Sequence, residues 1–107
     1  MFLIDTGADV SVIPKSFVKF FKLNKDFQLT AANGSIIDTY GTKVVEVDLG
    51  LRSFSHEFIL ASVNKPIIGA DFLSKYGLLP DLKNKRLIDP ATSLTVNAML
   101  ANNYGIW

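Results

Sequence analysis

The residues best suited to chemistry stand near the start of the chain, in the stretch Phe2-Leu3-Ile4-Asp5-Thr6-Gly7-Ala8-Asp9. An apolar run, typical of a buried strand, leads directly into the carboxyl group of Asp5. Burial raises the cost of ionising such a group, which makes it a candidate for acid–base catalysis. Thr6 offers a hydroxyl that can hold neighbouring backbone, and Gly7 permits a tight turn. A strand that simply ends in an Asp-Gly turn is the alternative interpretation.

A second motif, Pro66-Ile67-Ile68-Gly69-Ala70-Asp71-Phe72-Leu73, follows about 60 residues later, after a predicted β segment that contains a turn. This motif forms a pair with the Asp5-Thr6-Gly7 triplet and its continuation to Pro14. Together the two stretches resemble the retropepsin-like aspartic proteases of retroviruses and, most closely, of gypsy-type LTR retrotransposons. The resemblance extends to about Asp89. It implies an all-β, retropepsin-like acid protease fold, in which each subunit is a single-lobed, closed, barrel-like structure with a flap hairpin and one short C-terminal helix.

The resemblance assigns catalysis to the triplet. It implies Asp5 as the catalytic acid and base, Thr6 as a brace between two active-site loops, and Gly7 as backbone that meets the substrate. The substrate-binding residues that it implies are Ala8, Asp9, Ala31, Ala32, Asn33, Gly34 and Ile68. It implies no metal ion and no organic cofactor.

One triplet in a single-lobed chain cannot form a pair of catalytic carboxyls, so the resemblance implies a homodimer with Asp5 of each subunit at the twofold axis. Carboxyl groups about 3 Å apart, the general arrangement in aspartic proteases, cannot both ionise cheaply and therefore share a proton. The ionised partner would activate a water molecule that attacks the peptide bond. The implied substrates are Gag-Pol polyprotein junctions in extended, largely apolar segments.

One position departs from the retroviral pattern. Ala70 stands where many retroviral members have an arginine, a cation that pairs with the acid after the triplet and supports the dimer. Asp9 therefore needs another partner, and the strength of the interface is open. Two alternatives to the protease remain: a catalytically silent dimerisation or peptide-binding module of the same fold, and a cellular retropepsin-like domain attached to a ubiquitin-pathway protein.

A hairpin is predicted in the first half of the chain. Asn33-Gly34 between β-prone runs favours a tight turn that joins strands at 27–30 and 36–41. By resemblance this hairpin, about 29–41, is the flap that closes over the substrate. An ordinary surface hairpin is the alternative.

Further along, alternation of apolar and polar residues predicts a strand at 43–49 and its partner at 53–60. Val45, Val47 and Leu49 are expected to face inward on the first of these strands. His56 is the only histidine, and it is predicted to be an exposed residue of the second strand.

The remaining elements are predicted from shorter patterns. They are a strand at 10–13 stopped by Pro14, a short helix or core-covering turn at 15–21, a buried strand at 66–69, a helix at 71–76 ended by Gly77, a hairpin that turns at 83–85, and strand character at Leu94 and Val96. The apolar tail that runs into 102–107 is expected to need a partner surface.

Composition narrows the function further. The chain has 107 residues, a formal net charge of +1, 49% hydrophobic residues and no cysteine. These values predict one globular domain, 1–107, without a nucleic-acid footprint, disulfides or a thiol nucleophile. No apolar run reaches the roughly 18 residues of a membrane span, so a soluble protein without a membrane partner is expected.

Targeting signals are also informative. No secretory signal is visible, so the sequon Asn33-Gly34-Ser35 is interpreted as a hairpin turn rather than a glycosylation site. A cytoplasmic protein, with virus-like particles as a second setting, is expected. Because Met1 directly precedes a predicted buried strand, the chain is interpreted as a segment of a longer polyprotein.

Overall fold

The computed structural model describes residues 2–31 and 33–101. Its strands within those residues are β1 Leu3–Ile4, β2 Val12–Pro14, β3 Asn24–Thr30, β4 Ile36–Asp48, β5 Ser53–Ala61, β6 Ile67–Ile68, β7 Leu79–Asp81, β8 Arg86–Asp89, β9 Leu94–Asn97 and β10 Met99–Leu100. One helix, α1, spans Ala70–Tyr76 and ends at Gly77, which has the left-handed backbone of a helix C-cap (φ 64). The prediction of an all-β fold with one short helix is confirmed, and the helix begins inside the second motif.

The strands form two sheets. The larger has the order β10-β1-β6-β2-β5-β4-β3, and the smaller has the order β7-β8-β9. In the larger sheet β1 lies parallel to β6, with Leu3 opposite Ile67 and Ile4 opposite Ile68. The two sequence motifs are therefore side by side although they are far apart in the chain.

The core is built around the long antiparallel pair β4 and β5. Val47 lies opposite Phe54, and both side chains are buried, as the alternation predicts. Phe54 contacts Phe72 of α1 with ring centroids 5.3 Å apart in an edge-to-face arrangement. Phe58 joins the same cluster, so the helix is fixed to the sheet by aromatic packing.

The prediction for His56 is wrong, because this side chain is only 8% exposed. In a strand, alternate residues share a face, and His56 shares its face with Phe54 and Phe58. Its ring packs edge-to-face on Phe72 at 4.9 Å between centroids. Burial is tolerated because Nε2 lies 3.0 Å from the carboxylate of Asp71.

The segment 15–21 also differs from expectation. Only a single 3-10 turn forms, Lys15–Phe17, and Val18 already has extended backbone. Phe17 and Phe21 are exposed, and Phe20 is 90% exposed. Val18 packs against the core, but the three phenylalanines of the segment do not cover it.

The smaller sheet contains the predicted C-terminal hairpin, in which Pro80 of β7 lies opposite Leu87 of β8. Its contact with the larger sheet includes an ion pair, since Arg52 Nε donates to Asp89 Oδ2 at 2.8 Å. Asp89 is fully buried. Burial opposes its ionisation, but the Arg52 hydrogen bond and the Ala91 N–H hold the pKa of Asp89 below its usual value.

The last described residues close the edge of the larger sheet. β10 runs parallel to β1 with Met99 opposite Leu3, and the Ala101 N–H donates to Ile4 O at 2.8 Å. The described part of the tail thus pairs within its own chain, while its expected continuation, 102–107, lies outside the described residues. Among the described residues, no helix has the length and apolarity to cross a bilayer.

Candidate active site

Asp5 follows β1 directly and is held by backbone on both sides. Its N–H donates to Ile68 O at 2.9 Å, and its carbonyl accepts the Ala8 N–H at 3.1 Å. Asp5 as a whole is 7% exposed, and its carboxylate accepts the Gly7 N–H on Oδ1 at 3.0 Å. A Cβ on Gly7 would lie 3.3 Å from that same oxygen, so glycine lets the loop fold closely around the acid.

The second motif braces this loop from behind. The Ala70 N–H donates to Ala8 O at 2.7 Å, and the Asp71 N–H donates to Asp9 O at 3.2 Å. Gly69 lies so close to the loop that a Cβ there would stand 2.5 Å from Val10 O. Only glycine fits at this position, which explains why this residue type follows the buried strand β6.

A buried polar network extends the brace. Ser11 Oγ accepts the Gly69 N–H at 2.8 Å and donates to Asp71 Oδ1 at 2.7 Å. His56 contacts the other carboxylate oxygen, and the Phe72 N–H donates to Oδ1. Burial disfavours the ionised acid, but the hydrogen bonds from Ser11, His56 and Phe72 lower the pKa of Asp71.

Sequence reasoning missed Ser11 and His56 as members of this network. The signals were present, since Ser11 interrupts an apolar run and His56 shares its strand parity with two phenylalanines. Their common partner is Asp71, the first residue of the predicted helix at 71–76. The network becomes visible once β2, β5 and α1 are placed together.

The residues after Asp5 that the sequence predicts to be catalytic or substrate-binding differ in exposure. Thr6, Gly7 and Asp9 are exposed, whereas Ala8 is buried. The Asp9 side chain forms no ion pair within residues 2–31 and 33–101. Its carboxylate and the Thr6 hydroxyl thus remain accessible on the surface beside Asp5.

A groove of about 840 Å³ lies between the β3–β4 hairpin and the strands that carry the two motifs. The described residues that line it are Leu3, Lys15, Ser16, Ala31, Asn33, Ser35, Ile37, Ser62, Val63, Asn64, Lys65 and Ile67. Asp5 is not one of the lining residues, but Leu3, which is paired with Ile67, lies only two residues before it in the chain, so the groove begins close to the acid.

The groove contains some of the substrate-binding residues expected from the sequence. Ala31 and Asn33 line it, whereas Ala8, Asp9 and Gly34 do not. The side chain of Ile68 is fully buried in the core, and its neighbour Ile67 faces the groove instead. Adjacent strand residues point to opposite faces, so this pair divides between core and groove. Ala32 lies outside the described residues.

The tip of the hairpin is compact. The Ala31 N–H donates to Ser35 O at 2.8 Å, and the Gly34 N–H donates to Ala31 O at 2.9 Å. Gly34 has φ 87, a left-handed conformation that favours glycine. Asn33 Oδ1 accepts the Ser35 N–H, which further fixes the turn. The predicted hairpin is therefore present, with its tip at the groove.

A buried strand that delivers an acid to a glycine turn, braced by a second strand and a short helix, is the active-site architecture of the retropepsin-like aspartic proteases. Sequence comparison agrees, since the family model for the gag-polyprotein aspartyl protease matches residues 1–75. The chain belongs to this family. Within residues 2–31 and 33–101, no group of three or more His, Asp or Glu side chains is arranged to hold a metal ion.

A curated relative and two solved structures are similar to this chain. The Retrovirus-related Pol polyprotein from transposon 412 of Drosophila melanogaster is 30% identical over 92 residues, which cover 79% of this chain and 7% of that polyprotein. The chain thus spans a small fraction of that relative's length.

The solved structures support the fold. EIAV protease, complexed with the inhibitor HBY-793, has a TM-score of 0.52 at 23% identity, covering 69% of this chain and 73% of its own. The retroviral protease-like domain of Ddi1 from Leishmania major has a TM-score of 0.60 at 18% identity, covering 88% of this chain and 79% of its own.

Proposed function

We propose that this chain is an aspartic endopeptidase that acts as a homodimer. The observation that carries the proposal is the position of Asp5, a buried acid at the end of β1 beside a peptide-sized groove. A groove lined by a hairpin and by apolar strand residues is suited to an extended polypeptide.

The need for a dimer follows from the chemistry. The sequence contains a single Asp-Thr-Gly triplet, and water activation by a carboxyl pair requires two acids. A twofold axis beside Asp5 would supply the second acid from the partner subunit. Thr6 and Asp9, exposed next to Asp5, would then face the partner, with Thr6 bracing the two loops.

In such a pair one carboxyl is ionised and the other holds the shared proton. The ionised group accepts a proton from water as its oxygen attacks the scissile carbonyl carbon. The protonated group hydrogen-bonds the carbonyl oxygen, where negative charge develops. Collapse of the tetrahedral intermediate breaks the C–N bond, and a carboxyl transfers its proton to the leaving nitrogen.

The hairpin formed by β3 and β4 would serve as the flap. Its tip residues Ala31 and Asn33 already line the groove. The backbone there could form strand-like hydrogen bonds with an extended substrate. Closure would exclude water from the reaction. The residues Ala32 and Gly34 would contribute backbone contacts.

The natural substrates proposed are junctions of a Gag-Pol-type polyprotein, because the transposon 412 relative is a Pol polyprotein. The chain would then be a protease domain, 1–107, released from a longer precursor in the cytoplasm or inside virus-like particles. A catalytically silent peptide-binding module is the second candidate. One observation favours it: a single subunit already forms the groove, whereas a carboxyl pair requires two.

The test compares the wild-type chain with Asp5→Asn in sedimentation equilibrium and in peptide cleavage at mildly acidic pH. Because the acid–base step is lost, Asp5→Asn is expected to lower kcat by about 10²–10⁴-fold without dissociating the dimer. Asp26→Asn, at an exposed residue of β3, is the matched control and should cleave normally. If the wild-type chain is monomeric and binds peptides without cleaving them, the protease proposal is wrong and the peptide-binding module is the better account of the chain.

A further inference from the structure

The groove is lined by apolar side chains and by two lysines at one end. Because β2 and β6 are antiparallel, with Val12 opposite Ile67, Lys15 just after β2 and Lys65 just before β6 lie at the same end of these strands. Leu3, Ile37 and Ile67 supply apolar surface, while Lys15 and Lys65 supply the charged groups, and none of the described lining residues is acidic. A groove of this composition favours a peptide that is apolar along most of its length and negatively charged at one position.

Lys15 is held in place rather than free in solvent. Because β2 and β5 are parallel with Pro14 opposite Ala61, Lys15 and Ser62 emerge together at the same end of the sheet. Lys15 Nζ donates to the Tyr40 hydroxyl at 3.1 Å and lies 4.6 Å from the centroid of the Tyr40 ring. That hydroxyl is also 2.7 Å from Ser62 Oγ.

This arrangement lowers the cost of binding an anion. A lysine that is already ordered by an aromatic ring and a hydroxyl loses less side-chain entropy when a ligand arrives. The Lys15 ammonium has N–H groups left after its bond to Tyr40, and they can donate to a carboxylate.

Neither lysine is neutralised within the part of the chain that the structure describes. No carboxylate there lies within 4.0 Å of either ammonium group. The acid that acts on Tyr40 through space is Asp38, and its carboxylate already accepts a hydrogen bond from Gln28 Nε2 at 3.0 Å. The positive potential at this end of the groove is thus available to a ligand.

We propose that Lys15 and Lys65 form a specificity subsite for a glutamate or aspartate side chain of the peptide substrate. This inference rests on the proposed peptide-cleaving function and names the kind of substrate that the groove selects. Lys15 provides the ordered contact, and the exposed Lys65 on the β5–β6 loop adds charge at the rim.

The test uses short apolar peptides that carry Glu or Gln at each position in turn. Binding to the Asp5→Asn protein is measured by fluorescence anisotropy, and kcat/KM is measured with the wild-type chain. At one position the Glu peptide is expected to be preferred by about fivefold, the value of a modest ion pair. The preference should fade below pH of about 4.3, where a peptide glutamate becomes protonated.

Lys15→Gln and Lys65→Gln should each reduce that preference, whereas Lys83→Gln, in the β7–β8 turn, should leave it intact. Lys65 makes no hydrogen bond within the described residues, so its variant is expected to fold normally even if Lys15→Gln disturbs the Tyr40 contact. Equal binding of Glu and Gln peptides at every position, or a preference that survives both substitutions, overturns the subsite. A lysine-dependent preference in binding without any cleavage would keep the subsite and overturn the protease.

Discussion

At the scale of single residues, the site depends on Ser11 more than its small size suggests. Its hydroxyl accepts the Gly69 N–H and donates to Asp71 Oδ1, so one atom joins the strand before the helix to the acid inside it. Ser11 is fully buried, and water cannot replace it freely. This hydroxyl therefore helps to fix the backbone that supports the Asp5 loop.

Ser11→Ala is expected to lower the free energy of unfolding by about 1–3 kcal/mol, because it leaves a buried N–H without an acceptor. Equilibrium urea denaturation measures this loss. Ser53→Ala, at an exposed position of β5, is the matched control and should change stability little. Equal free energies of unfolding for Ser11→Ala and Ser53→Ala would show that the Ser11 hydroxyl does not stabilise the backbone behind the Asp5 loop.

At the scale of elements, the two sheets are joined through a charge that has no contact with solvent. Asp89 sits at the end of β8, and Arg52 reaches it from the turn between β4 and β5. Arg52 also stacks over Phe54, with its guanidinium 4.8 Å from the ring centroid. The arginine is thus both an ion-pair partner and part of the packing between sheets.

Arg52→Gln should destabilise the fold more than Arg86→Gln. Loss of Arg52 leaves the buried Asp89 carboxylate without its cation, whereas the Arg86 pair with Asp81 is partly exposed and worth little. Thermal unfolding measures the difference between the melting temperatures of the two variants. Acidification should reduce this difference, because Asp89 becomes protonated in Arg52→Gln. Identical melting temperatures at neutral pH would contradict this account.

The elements also show what the sequence could predict. Alternation identified the later part of β4 and most of β5, and Gly77 correctly marked the end of α1, because these signals are local. Residues 36–41 were predicted as a separate hairpin strand, but they belong to the single strand β4 Ile36–Asp48. β1 and β6 have two residues each, too few for periodicity, and were predicted from the short apolar runs before Asp5 and Gly69. Other features depend on which face a neighbouring element covers, which is not a local property. These are the burial of His56, the exposure of Phe20, and the placement of Ile67 in the groove but Ile68 in the core.

At the scale of the whole molecule, the described chain supplies one acid at the candidate active site, the buried Asp5, and leaves its neighbours Thr6 and Asp9 exposed. If two copies must meet to react, specific activity depends on the concentration of the protein as well as on that of the substrate. A subunit that lacks a functional Asp5 should then inactivate the dimer that it forms with a wild-type subunit.

Mixing wild-type protein with an equal amount of Asp5→Asn should therefore lower activity to about a quarter of that of an all-wild-type sample of the same total concentration, because random pairing leaves that share of fully competent dimers. Cleavage is measured after the subunits have had time to exchange. Addition of Asp26→Asn instead should leave activity unchanged. Activity at half of the control value would indicate that each subunit works alone.

The brace behind Asp5 has a consequence for biosynthesis. The hydrogen bonds of Ser11 to Gly69 and to Asp71 join residues 58 and 60 positions apart. Contacts of such separation form late, after a large loop has closed. A chain still emerging from the ribosome can neither pair β1 with β6 nor complete the loop around the Asp5 carboxyl until β6 and α1 have been synthesised. The order of translation thus keeps a nascent precursor from assembling this site before the second motif is available.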